Sequence, residues 1–253
     1  MLKLPGVIQK SVLLLSLLKP SDEREDWSTT EISREINIPI QTVHRLLNCL
    51  CEVGFVVQNK ETRRFSLGTK IVELGLSIRE NNKIRNTSLP FLIELSKQTK
   101  ENVYLSIVEG SNGVILDCLN ATKPIYHFNS EIRGIRLPLS VDAPNKVLLA
   151  NLNLNTRDKI VSNLLKQKVI DDRNELESEL RIIKQYGFSL TFGEREKDIM
   201  SIAAPIFSWD DTVVAAISIS IYPNGLLEQL NMHIDAVLKC SKGISKELGW
   251  IGK

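Results

Sequence analysis

Gln41, Arg45 and Asn48 recur at intervals of four and three residues in "PIQTVHRLLNCL", the spacing that places side chains on one face of a helix. All three can hydrogen-bond a base edge in pairs, Arg to guanine and Gln or Asn to adenine. At about 100° per residue, Val43, Leu46, Leu47 and Leu50 gather on the opposite side as a core face, and Thr42 and His44 flank the polar one. Thr42, in the first turn, can hydrogen-bond a phosphate beside the free amides there. A polar helix face is ordinarily just a solvated one, so the elements on either side decide what this face does.

Other chemistry-bearing groups carry less. Glu194, Glu196 and Asp198 crowd one polar segment, and paired carboxylates can do acid–base work. A carboxylate cluster between two strands is usually a solvated loop, however. The chain holds no G-x-S-x-G elbow, no G-x-x-x-x-G-K-[ST] loop and no H-E-x-x-H helix. Cys118 and His127 have no third group to make them a nucleophile pair. Cys49 and Cys51 fall about 200° apart on one helix, and the three histidines are scattered, so neither a metal site nor another cofactor is expected. The four cysteines read as reduced thiols, and the chain as not an enzyme.

The elements around the Gln41–Asn48 face form a pattern. Pro5 to Lys19 is a helix with Ile8, Val12, Leu15 and Leu18 as its docking stripe, ended by Pro20 and "SDERED". "STTE" is a capping box: Ser28 starts a helix and Glu31 reaches back to it. Ile32 and Ile36 form its buried stripe. Pro39 suits the first turn of the next helix, which runs to about Val53 and ends at Gly54. Phe55–Gln58 and Arg63–Leu67 then read as strands around the polar turn 59–62. Helix, helix–turn–helix and hairpin make a winged helix-turn-helix. Lys60, Arg63 and Arg64, on or near the hairpin turn, are placed to reach phosphates or the minor groove. Ser28 and Thr29 complete the DNA-facing set. A further amphipathic helix opens at Gly68–Thr69 and fades into a linker near residues 78–86.

The 253 residues, 43% hydrophobic and 25% charged, suit a globular protein of two domains. Net charge is only +2, but residues 40–70 hold five basic residues against two acidic ones, compatible with local phosphate contact. "SVLLLSLL" lacks a small-residue cleavage site after it, and no apolar run approaches a bilayer span. The expectation is a cytoplasmic protein without a membrane partner.

The second part opens with a helix from Ser88 to about Lys100. Strands "NVYLSIVEG" and "GVILDCLN" follow, then one near Ile125–Phe128, a helix at "DAPNKVLLA", and helices on both sides of "KVIDDRNE". Strands "FSLTF", "MSIAAPIF" and "VVAAISISI" and a helix from Leu226 to about Leu248 close the chain. This predicts an α+β fold: residues 1–67 a winged helix-turn-helix domain, 68–86 a linker helix, and 87–253 an antiparallel sheet domain with flanking helices.

"IQKSVLLLSLL", "TTEISREINIPIQTVHRLLNCLCEVGFV" and "RRFSLGTKIVELG" resemble the DNA-binding region of IclR-type bacterial transcriptional regulators. "RLPLSVDAPNKVLLA" resembles that family's R-x-P-L-H-x-T-x-x-G-K-x-L-L-A segment, and "YGFSLTFGEREKDIMSIAAPIFSWDDTVVAAISIS" its later G-Y-x-x-D-x-E-E stretch. The resemblance spans nearly the whole chain. It implies a GAF-like effector-binding second domain, homodimers or homotetramers on a palindromic double-stranded operator, and control by a small organic molecule. The carried-over effector positions are Asp142, Ala143, Pro144, Thr191, Ile199 and Ser201, with Tyr126 as a looser candidate.

Here Ser140 replaces the family's histidine, Asp142 its threonine and Asn145 its glycine; Thr191 and Ser201 stand for an aspartate and a cysteine. Asp142 is expected to cap the helix at Ala143 and so to occupy, with its own charge, amides that could take a ligand carboxylate. The effector is therefore expected to be a neutral or hydroxyl-rich molecule, such as a sugar derivative, or an organic acid, rather than a simple small 2-oxo acid held through its carboxylate. Two alternatives remain beside this reading: a regulator that has lost its effector and acts by oligomerisation, and a small-molecule enzyme in the second domain.

Overall fold

The computed structural model describes residues 6–21, 24–121, 134–222 and 229–252. The chain divides into two compact units, Met1–Asn81 and Asn82–Lys253.

In the first unit, α1 (Gly6–Leu17), α2 (Thr29–Glu35) and α3 (Ile40–Glu52) precede a hairpin of β1 (Val56–Gln58) and β2 (Phe65–Leu67), followed by α4 (Lys70–Asn81). Leu14, Leu18, Ile32, Val43, Leu46, Leu47, Val56 and Phe65 form one core. The capping box holds: Ser28 Oγ accepts from the Glu31 amide at 3.3 Å, and the Ser28 amide donates to Glu31 Oε2 at 2.8 Å. Pro39 is the N-cap of α3 rather than a residue of its first turn, and its carbonyl accepts from the Thr42 and Val43 amides. Gly54, at φ +77°, ends α3 in the left-handed region that a side chain would disfavour.

The docking stripe of α1 differs from the expected one. Leu14 and Leu18 are fully buried, whereas Ile8 and Val12 are more than half exposed. Only the C-terminal half of α1 meets the core, so the apolar residues of its first two turns face water within the chain. α4 buries no residue either, and Val72, Leu74, Leu76 and Ile78 are exposed.

The second unit begins earlier than its expected start at residue 87. α5 runs Lys83–Thr99, with Asn82 as N-cap accepting from the Arg85 amide at 2.9 Å. Arg85 Nε, two residues into the helix, bonds the buried Asp117 of β4 at 2.7 Å. This anchor makes helix of a polar stretch whose pattern suggests a linker. The sheet has six antiparallel strands in the order β5-β4-β3-β8-β7-β6, built from β3 (Asn102–Glu109), β4 (Asn112–Leu119), β5 (Arg136–Pro138), β6 (Ser189–Phe192), β7 (Met200–Phe207) and β8 (Val213–Ile221). β5 adds a strand that the sequence pattern does not predict, while the strand expected at 125–128 lies outside the described residues, as does the expected first turn of the last helix at 226–228. α6 (Ala143–Asn151), α7 (Leu154–Lys166) and α8 (Arg173–Tyr186) cover one face; α5 and α9 (Leu230–Glu247) cover the other.

Because side chains alternate along a strand, the two faces differ in chemistry. Val103, Leu105, Ile202, Ala204, Ile217 and Ile219 pack towards α5 and α9. Tyr104, Ser106, Ser201, Ser218 and Ser220 occupy the intervening positions, buried on the face that α6 covers. Register aligns Thr191 with Ser201 and Ser201 with Ser220, and sets Tyr104 opposite Ser218. This polar band lies beneath the start of α6.

Candidate DNA-reading face and effector site

α3 presents Gln41, His44, Arg45 and Asn48 to solvent and half-buries Thr42, opposite the buried Val43, Leu46 and Leu47. Asn48 Nδ2 lies 3.4 Å from His44 Nδ1. Gln41 and Arg45 make no side-chain hydrogen bond or ion pair among the described residues. The helix therefore offers uncommitted donors and acceptors on a rigid scaffold. Cys49 is exposed on the same helix.

At the wing, Asn59 Oδ1 accepts from the Glu61 and Thr62 amides and shapes the turn. Lys60 and Arg63 are exposed at the tip, with Arg63 at φ +59°. Arg64 is placed differently from the expectation that it reaches phosphate. Its Nε donates to Asp26 Oδ1 at 2.6 Å, and its Nη2 to Glu31 Oε2 at 2.7 Å and to the Asp26 carbonyl at 3.2 Å. Two carboxylates neutralise this guanidinium, which ties the wing to the capping box of α2. The same network acts on Glu31: the Ser28 amide first, then the Ser28 hydroxyl and Arg64, hold its carboxyl below the ordinary glutamate value. Ser28 is committed to its cap, and Thr29 is half-buried in the first turn of α2.

In the second unit, Asp142 caps α6 from a left-handed backbone (φ +72°) and is 3% exposed. Its Oδ1 accepts from the Ala143 amide at 2.9 Å and from Thr191 Oγ1 at 3.1 Å, while Thr191 Oγ1 also accepts from the Ala143 amide. Pro144 has no amide hydrogen to offer. The first turn of α6 thus already holds a carboxylate, supplied by the chain itself. The Asp142 amide donates to Glu194 Oε2 at 2.9 Å. Glu194 Oε1 and Glu179 Oε1 grip the Lys146 ammonium at 2.6 and 2.8 Å. Burial opposes the charge on Lys146, but the two carboxylates outweigh it and raise the ammonium's pKa.

A void of about 10 Å³, room for at most one water, lies beside this cap. Asp142 and Pro144 border it, together with residues the sequence does not single out for this role: Tyr104, Ser106, Asn145, Arg195 and Ser218. Ile199 and Ser201 are not among its lining residues, and Tyr126 lies outside the described residues. The alternating serines of "ISISI" signal the polar strand face. Nothing in "GEREKD" distinguishes Glu194, which bonds Lys146 and the Asp142 amide, and the half-buried Arg195 from their neighbours. The three acidic residues of that segment do not converge: Glu194 bonds Lys146, while Glu196 pairs with Arg195 at 3.3 Å and Asp198 is exposed. A groove of about 700 Å³ runs between α5 and α9, with Phe91, Leu95 and Cys240 in its lining and Glu94, Asp235 and Lys242 among its charged residues, and shares no residue with this site.

A winged helix-turn-helix unit joined to an antiparallel-sheet unit with a polar site under one helix defines a two-part transcriptional regulator. The chain belongs to the IclR family: residues 7–60 match the IclR helix-turn-helix domain and residues 77–246 the IclR C-terminal domain of bacterial transcriptional regulators. It is 27% identical over 217 residues to the HTH-type transcriptional regulator XynR of Escherichia coli, covering 84% of each chain. The Thermotoga maritima IclR structure superposes with a TM-score of 0.75 at 25% identity, covering 97% of this chain and 99% of that one. An IclR homologue from Microbacterium hydrocarbonoxydans, solved with 4-hydroxybenzoate, superposes with a TM-score of 0.74 at 20% identity, over 95% and 98% of the two chains. The protein is a DNA-binding transcriptional regulator with a C-terminal effector domain, and its relatives are named as regulators rather than enzymes. No helix among the described residues is long and apolar enough to cross a membrane.

Proposed function

We propose that this regulator reads a palindromic operator in the cytoplasm as a homodimer or a pair of dimers, and that a small organic effector bound under α6 controls it. The observation that carries the reading is the uncommitted Gln41–Arg45 face of α3. Arg45 enters the major groove with Gln41 and Asn48 beside it; Thr42, His44, Lys60 and Arg63 contact the backbone or flank the contact; and Arg64 holds the wing in place. Exposed apolar side chains on α1 and α4 support self-association, since Val12 and Ile78 are 57% and 66% exposed in the single chain. The filled helix start at Ala143 supports an effector that is not gripped there by a carboxylate. That the Microbacterium homologue was solved with 4-hydroxybenzoate supports a small organic effector here.

The test is an operator selected from a random DNA pool and footprinted with the parent and Arg45→Ala. Operator affinity should fall by about 1–3 kcal/mol, with specificity relaxed at one base of each half-site. Identical footprints and affinities at equal salt would refute the assignment of α3.

A further inference from the structure

Arg195, on the turn between β6 and β7, is the one cation among the described residues lining the void beside Asp142. Its side chain is 13% exposed, and its polar contacts are all long. Nη1 lies 3.7 Å from Asp142 Oδ2, Nη2 donates to Ser220 Oγ at 3.3 Å, and Nε is 3.3 Å from Glu196 Oε1. Charge-assisted pairs usually close to about 2.7–2.9 Å. Beneath the guanidinium lies the Tyr104 ring, 4.9 Å from Cζ to centroid. The neighbouring Glu194 side chain makes the short contacts of this turn, 2.6 Å to Lys146 and 2.9 Å to the Asp142 amide, while Arg195 makes the longer ones. Ser106 borders the same void, is 1% exposed, and its hydroxyl has no hydrogen-bond partner among the described residues. A buried hydroxyl without a partner is a vacant recognition point.

We propose that Arg195 is the anion-recognising residue of the effector site and, in this structure, its plug. The Ala143 amide is satisfied by Asp142 and Thr191, and Pro144 offers none, so the Arg195 fork is the charged donor beside the void that an entering carboxylate can pair with. Pairing with the ligand releases Nη1 from Asp142 and lifts the guanidinium off Tyr104. The space it leaves is bounded by Ser106, Ser218 and Asn145, which recognise hydroxyl groups. The ligand class is a small hydroxy acid, bound through its carboxylate to a side chain rather than to the helix start. The proposal rests on the reading of the second unit as an effector domain.

The experiment uses the full chain and trifluoroacetate as a minimal carboxylate probe, with trifluoroethanol as its uncharged counterpart, both followed by fluorine NMR. Parent protein should broaden the trifluoroacetate line saturably and leave trifluoroethanol unaffected. Arg195→Met should weaken trifluoroacetate binding by about tenfold or more, as expected for loss of a charged, forked hydrogen-bond donor, while operator binding and melting show the variant folded. Asp142→Asn, which removes the internal competitor and keeps a capping side chain, should tighten it. That opposite change cannot come from misfolding. Equal binding by parent and Arg195→Met, or no binding by parent and Asp142→Asn, overturns the proposal. The effector-domain reading fails separately, if no compound in a thermal-shift screen of sugar acids and aromatic acids moves the melting of parent or variant. A neutral compound that stabilises both proteins equally would sustain that reading and sink the role of Arg195.

Discussion

Gly113 of β4 and Asn145 of α6 form a matched pair whose disruption can be worked out from distances. A Cβ on Gly113 would lie 1.8 Å from Asn145 Oδ1 and 2.6 Å from its Cγ, where non-bonded carbons sit at about 3.5–4.0 Å. Asn145 has little freedom to retreat, being 4% exposed, with Nδ2 donating to the Val141 carbonyl at 2.8 Å and to the Pro138 carbonyl at 3.4 Å. Gly113→Ala therefore forces either an overpacked contact or a broken buried hydrogen bond, and should destabilise the second unit by about 2–4 kcal/mol. Asn145→Ala alone removes the amide, leaves the Val141 carbonyl unsatisfied, and should cost about 1–2 kcal/mol. In the double variant the new methyl group fills the vacated space, so the total should match Asn145→Ala, a coupling of about 2 kcal/mol or more. The assay is equilibrium urea unfolding followed by tryptophan fluorescence, to which Trp250, stacked on Phe207 at 5.3 Å, reports on this unit. A cost below about 0.5 kcal/mol for Gly113→Ala, or simple additivity, would refute the packing argument.

Four further outcomes rest on the same geometry. Glu31 has a lowered pKa, so its contribution to the first unit is present above the unfolded glutamate value and lost as pH falls through the lower folded value; acid unfolding monitored by circular dichroism should show this slope, and Glu31→Gln should flatten it. Lys146→Met leaves Glu179 and Glu194 without their shared cation and should lower the second unit's stability by about 2–4 kcal/mol, discounted for the partial exposure of both carboxylates. The raised Lys146 pKa sets the opposite pH sign, with that stability present below the unfolded lysine value and lost only in strong alkali, as a melting series above pH 10 would show. Burial pushes the Cys240 thiol up to about 12, so a thiol reagent at neutral pH should label exposed Cys49 in the native protein and spare Cys240 until it unfolds.

Local chemistry made much of the first unit legible in the sequence. The Ser28–Glu31 box, the 3.6-residue periodicity of α3 and the left-handed stop at Gly54 are contacts within a few residues, so their spacing alone fixes two helices and the face presenting Gln41, Arg45 and Asn48. The alternation in β8 likewise foretells that Ser218 and Ser220 share a face. What the spacing does not hold is which charged residue finds a partner far along the chain. Arg64 and Lys60 look alike in a basic hairpin, yet only the fold brings Asp26 and Glu31 to Arg64 and leaves Lys60 in water. Arg85 extends α5 back into a polar stretch because Asp117, thirty-two residues on, is buried opposite it. Asp142 as a cap could be predicted from its position before a helix, but its burial against Thr191, its bond to Glu194 and the inward turn of Arg195 depend on β6 and α6 meeting across the sheet. Sequence spacing thus determined the polar face of α3, because a helix face is a local object. The tertiary structure decided the polar site under α6, because a charge becomes a cap, an anchor or a solvated side chain only through the groups that folding places within hydrogen-bond reach.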